Sequence, residues 1–193
     1  MPAFFDCTVL VAGEHPATAM DLDDSLRRLG CTVLGPADSA ETGMFLARQQ
    51  RPSLALLHLT PLGTRGFESL AKLLALLEVP FATVGTTYEH AGLPPGLLRR
   101  VARLSKPYDM GSLHRLVREL QVANLQLKID AIEQHIVAGT KRLARQVHLA
   151  EKLATARHNT DNAQVLAREI GRALRLMRTS RRLFADQLDE LQS

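Results

Sequence analysis

The sequence predicts an α/β fold in which a five-stranded parallel doubly wound sheet is followed by a long α-helical hairpin. Three observations carry that prediction. Five short apolar runs alternate with helical patterns up to about residue 107, the runs are apolar at consecutive rather than alternate positions, and the rest of the chain is helically periodic with a single interruption. A strand that is apolar on both faces must be covered on both sides, and helical crossovers between parallel strands supply that cover.

The elements follow in order. The run CTVLVA precedes TAMDLDDSLRRLG, where Ala19, Leu22, Leu26 and Leu29 fall at helical spacing. CTVLGP is followed by SAETGMFLARQQ, LALLHL by FESLAKLLALL, and PFATVG and VARLSKP supply the last two strands. Ligands of such a sheet sit beyond the carboxyl ends of its strands, and His58 lies at one of those ends.

Beyond the sheet, Leu113, Leu116, Val117 and Leu120 define one helical face. Val122, Leu125, Ile129, Ile132, Ile136, Leu143 and Val147 define another, rotated by more than a quarter turn. One long helix serving two cores fits this pattern, with a break near Ala123 and Asn124 as the alternative. The stretch RHNTDNAQ, residues 157–164, ends the first arm, and Thr160 or Asp161 caps the second. There Leu166, Ile170, Ala173, Met177, Phe184 and Leu188 share a face, opposite Arg168, Arg172, Arg175, Arg178 and Arg182. The expected domains are residues 1–120 and 121–193.

A chain of 193 residues, 46% of them hydrophobic, is long and apolar enough for a real core plus an appendage. Cys7 and Cys31 lie in strand-like runs without metal-ligand spacing, so two reduced thiols are expected. No apolar run approaches the ~20 residues that span a bilayer. The opening MPAFFDCTVL lacks the basic start and cleavage site of a signal peptide, so the expected location is cytoplasmic, with no membrane partner. The net charge of +4 belongs to the tail: residues 1–110 carry ten basic against eleven acidic side chains, and residues 111–193 fourteen against nine.

From Val9 to about Leu120 the chain resembles a response-regulator receiver domain, which has a flavodoxin-like fold. The resemblance rests on VLVAGEHP, DLDDSLRRLGCTVLGPA, RPSLALLHLTPLGTRGF, VPFATVGTTY and LSKPYD in that order and spacing. It is especially to the compact kind in which an LPP segment replaces most of the fourth helix. The resemblance implies a phosphoryl-transfer site: an acceptor aspartate ending the third strand, acidic residues after the first holding magnesium, a hydroxyl ending the fourth, and a lysine before proline after the fifth. Thr86 matches the hydroxyl, with Thr87 as its rival, and Lys106 matches the lysine. Gly13 and His15 flank one carboxylate, Glu14, and His58 stands at the acceptor's position.

Glu14, His15, His58, Thr86 and Lys106 thus make a degenerate phosphorylation pocket. With Gly13 and His58 where two carboxylates would stand, magnesium affinity falls steeply, and no metal, cofactor or catalysis is expected. His58, near Glu14 and Lys106, is expected to hydrogen-bond to the Glu14 carboxylate and so fill the pocket. A pH response or a zinc site of His15, His58 and Glu14 is the alternative.

The function expected is a non-catalytic signalling adaptor, a phosphorylation-independent pseudo-receiver acting by protein–protein interaction through its helical tail. A hairpin of this size leaves apolar surface, which implies a homodimer or a signalling protein partner. The expected interface comprises Ile129, Ile132, Ile136, Leu143, Val147, Leu166, Ile170, Met177 and Leu188. Arg168, Arg172, Arg175 and Arg182 form a face for an acidic partner or RNA. An RNA-binding, antitermination-type regulator is the alternative function, although Phe184 is the single aromatic side chain after residue 110 on which a base can stack.

Overall fold

A computed structural model describes residues 4, 7–13, 16–58, 64–87, 89 and 96–193. The strands are β1 (Thr8–Gly13), β2 (Thr32–Ala37), β3 (Leu54–His58), β4 (Phe81–Gly85) and β5 (Ala102–Ser105). Between them lie the helices α1 (Pro16–Arg28), α2 (Ala40–Gln50), α3 (Thr64–Leu76) and the short α4 (Leu97–Arg100). Two long helices follow, α5 (Met110–Thr155) and α6 (Asp161–Gln192). The LPP segment, residues 93–95, lies outside the described residues.

All strand pairs are parallel and the sheet order is β2-β1-β3-β4-β5. Every residue of β3 and β4 is buried, as expected of strands without a wet face. On one side Leu10, Ala12, Leu57 and Phe81 pack with Ala47, Leu70 and Leu74 of the crossover helices. Side chains alternate along a strand, so Val9, Val11, Leu54 and Leu56, all fully buried, serve the other side. Leu22 and Leu26 of α1 and Leu113 and Val117 of α5 are at most 1% exposed. Ser39 caps α2 by accepting from the backbone N–H of Thr42, 3.2 Å away. Cys7 and Cys31 are buried thiols, and a hydrogen bond with Cys7 holds the Cys31 thiol below its ordinary value.

The chain divides into two compact units, Met1–Asn124 and Leu125–Ser193. Helix α5 is unbroken through Ala123 and Asn124, so the alternative of a break there falls. In the second unit buried and half-buried positions recur at alternating steps of four and three: Leu125, Ile129, Ile132, Ile136, Gly139 and Leu143 on α5, and Ala163, Ala167, Ile170, Leu174 and Met177 on α6. Three contacts set the level of the arms. Lys128 lies over the Phe184 ring at 5.5 Å, Glu133 accepts from Arg181 at 2.8 Å, and a Cβ on Gly139 would come within 2.8 Å of Leu174.

Two sequence expectations for this unit change. Leu174, only 3% exposed, belongs to the α6 seam that the expected stripe omitted, whereas Leu166, Ala173 and Val147 are exposed. The sequence face was drawn a little too far round the helix because a seam between two arms follows a seven-residue repeat rather than the pitch of a free helix. The turn closes with Arg157 at φ 56° and the His158 N–H donating to the Leu153 carbonyl, and Thr160 is the N-cap of α6. Leu174→Ala is expected to cost about 2–5 kcal/mol, read as a lower urea midpoint for loss of helicity.

Candidate functional site

The carboxyl ends of β1, β3 and β4 come together because Gly13 pairs with His58 and His58 with Val84. At this point of the sheet the strand order reverses, between β1 and β3, which is where open α/β sheets hold their chemistry. His58 is 2% exposed. Its Nε2 lies 3.1 Å from Nζ of Lys106, the residue following β5, whose backbone N–H donates to the Gly85 carbonyl at 2.8 Å. With Lys106 as an ammonium, which only donates, Nε2 of a neutral imidazole is the acceptor. Burial holds the Lys106 amine below its ordinary value, opposed by Glu89 and Asp21.

The two groups that the receiver resemblance assigns to the acceptor position and to phosphoryl-oxygen binding are therefore bonded to each other. Gly13 explains how closely β1 approaches. A Cβ there would lie 2.6 Å from the backbone oxygen of His58 and 2.7 Å from its Cβ. No side chain, and hence no carboxylate, fits at that position without moving β1 from β3. Glu14 and His15 lie outside the described residues, as does Tyr88.

Thr86 follows β4 directly, and its hydroxyl is committed to the backbone. It accepts from the Glu89 N–H at 3.1 Å, while the Glu89 carboxylate accepts from the Thr86 N–H at 2.6 Å. This reciprocal capping box favours Thr86 over Thr87 as the ordered hydroxyl at the site. That Thr86 hydrogen bond, with a smaller contribution from the Lys106 charge, holds the Glu89 carboxyl below its ordinary value. Glu89 was missed in the sequence, although the Thr86-x-x-Glu89 spacing is itself a capping signal. Beside the pair opens a cleft of about 520 Å³ lined by Asp21, Ser25, Thr86, Lys106, Pro107 and Tyr108. Burial, and secondarily Asp21, push the Tyr108 phenol up.

No family model and no curated protein matches the chain. Solved structures do. The receiver domain of a modulated diguanylate cyclase from Desulfovibrio desulfuricans G20 aligns at TM-score 0.53 and 25% identity over 61% of this chain and 94% of that domain. The response regulator PhyR from Brucella abortus aligns at TM-score 0.53 and 18% identity over 64% of this chain, and anti-anti-sigma factor PhyR from Bartonella quintana at 0.50 and 19% over 66%. The first unit has the receiver fold. The chain spans about half the length of either PhyR protein, 51% in each case.

The receiver unit brings His58, Thr86 and Lys106 to one end of its sheet. The other expected site residues lie on the hairpin. Ile129 is buried, Ile132, Ile136, Leu143, Ile170, Met177 and Leu188 are half-buried, and Arg168, Arg172, Arg175 and Arg182 are exposed. Arg181, absent from the expected arginine face, falls on the seam and pairs with Glu133. Among the described residues no helix is long and apolar enough to cross a membrane.

Two outcomes follow from this geometry. Gly13→Ala is expected to destabilise the receiver unit by about 1–3 kcal/mol, because backbone rather than a flexible side chain must yield, seen as a lower thermal midpoint. The Glu89 carboxyl is depressed in the fold, so the stability it contributes is present above its unfolded value of about 4.3 and is lost as pH falls through the lower folded value. The Thr86 amide resonance should therefore titrate below that pH in the wild type and stay flat in Glu89→Gln.

Proposed function

We propose that this protein is a signalling adaptor whose receiver unit is not switched by aspartyl phosphate and whose output is protein contact through the helical hairpin. The observation that carries the reading is the 3.1 Å contact between Nε2 of His58 and Nζ of Lys106. In receiver chemistry the lysine meets a phosphoryl oxygen and a carboxylate accepts the group beside magnesium. Here an imidazole takes the carboxylate's place and binds the lysine directly, so the pocket is held in one arrangement by its own side chains. Magnesium prefers several hard oxygen ligands, and the close approach at Gly13 denies the site a second carboxylate.

The receiver fold supports a signalling role without transferring any neighbour's activity. The hairpin supplies the surface. Its arms expose Leu149, Leu166, Leu176 and Leu183 and a row of arginines, more apolar and more charged surface than a mere spacer needs. The adaptor role is non-catalytic and uses no cofactor.

Acetyl phosphate with magnesium is expected to leave the intact mass unchanged, and beryllofluoride with magnesium to leave the Thr86 and Lys106 resonances in place. Stoichiometric phosphoryl incorporation, or magnesium-dependent shifts at those residues, overturns the reading. His58→Asp alone should restore little, because Gly13 still excludes the second carboxylate.

A further inference from the structure

The hairpin buries one seam and leaves its two flanks unequal. With the buried seam placed at the a and d positions of a heptad, the g and c positions of both arms lie on one flank and the e and b positions on the other. All four exposed leucines of the g/c flank are prominent: Leu149, Leu166, Leu176 and Leu183 are 45, 49, 64 and 57% exposed. The e/b flank carries Arg168, Arg175, Arg178 and Arg182, with Val137 and Val147 as its large exposed apolar side chains. The apolar face therefore has a definite side.

We propose that a second copy of this chain covers the leucine flank, related by a two-fold axis parallel to the hairpin, so that the two hairpins form a four-helix bundle. The argument is complementarity of size and charge. On this flank α6 supplies Leu166, Leu176, Leu183 and Glu169, whereas α5 is small or basic apart from Leu149, with Ala131 and Ala138 beside Lys128, His135, Arg142, Arg145 and Lys152. A two-fold parallel to the hairpin sets α5 of each copy antiparallel against α6 of the other, at the levels already seen within one chain. Those levels follow from Glu133 opposite Arg181 and Gly139 opposite Leu174. Leu183 then meets the second copy's Ala131, Leu176 meets its Ala138, and Glu169 lies between its Arg142 and Arg145. At the turn, Leu149 and Leu166 of both copies gather into one cluster. A two-fold running across the hairpin instead sets α5 against α5 and α6 against α6, so Glu169 no longer meets Arg142 and Arg145 and the charge complementarity is lost.

The inference extends the adaptor reading by naming one partner and the flank it uses. Its test does not touch the His58 pocket, so either reading fails without the other. Sedimentation of the full chain at micromolar concentration should show a dimer. The double variant Leu176→Glu/Leu183→Glu should be monomeric with unchanged helicity, since both side chains are exposed in the single chain and Glu is a good helix former. Arg175→Glu, on the opposite flank, should leave the dimer intact.

The charge swap gives a check that does not depend on the leucines. Glu169→Arg alone, and Arg142→Glu with Arg145→Glu, should each weaken dimerisation about tenfold, and the combined charge-swapped chain should recover most of the loss. A monomeric wild type overturns the proposal. So does a dimer indifferent to Leu176→Glu/Leu183→Glu, one broken by Arg175→Glu, or a swap that compounds the loss instead of repairing it.

Discussion

The hydrogen bond between Lys106 and His58 is the constraint on which the receiver unit's site depends. It joins β3 to the segment after β5 across the intervening β4, at the end of the sheet where such folds hold their chemistry. Two nitrogen groups that each carry charge when protonated tolerate a 3.1 Å approach only when one is neutral and accepts. Burial of Lys106 favours that state, because desolvation lowers the affinity of its amine for the proton.

Around this bond the backbone leaves little freedom. Gly13 is required because β1 runs so near β3 that a Cβ would strike the His58 carbonyl. The Thr86 hydroxyl, which could otherwise turn toward a ligand, is fixed by the Glu89 N–H, and the Glu89 carboxylate is fixed in return. Among the described residues, negative charge near Lys106 comes from Glu89 and, across the cleft, from Asp21. Among the described residues, His58 and Lys106 are partners of each other, and the Thr86 hydroxyl accepts from the backbone.

The hairpin obeys a different constraint. A two-helix unit has one seam, and it hides only the a and d stripes of each arm. Small residues such as Gly139, Ala163 and Ala167 allow close approach along that seam, whereas Arg181 interrupts it and is satisfied by Glu133. Outside it, Leu149, Leu166, Leu176 and Leu183 fall on one flank, Val137 and Val147 on the arginine flank, and Leu127 and Val165 on the outer faces.

The sequence by itself determined the parallel sheet, the alternation of strand and helix and the two-armed tail, because these rest on local periodicity: consecutive apolar residues in LALLHL and FATVG, and helical spacing from Leu113 onward. It also placed His58, Thr86 and Lys106 at strand ends. What those residues do there was decided only by tertiary structure. No spacing in the chain states that His58 and Lys106, 48 residues apart, meet at hydrogen-bond distance, or that Gly13 has no room for a Cβ. The same holds for Leu166 and Leu174. Both are apolar and both fit a helical stripe, but which one is buried depends on the angle at which the second arm lies against the first, and that angle is set by packing between the arms rather than by the sequence of either one.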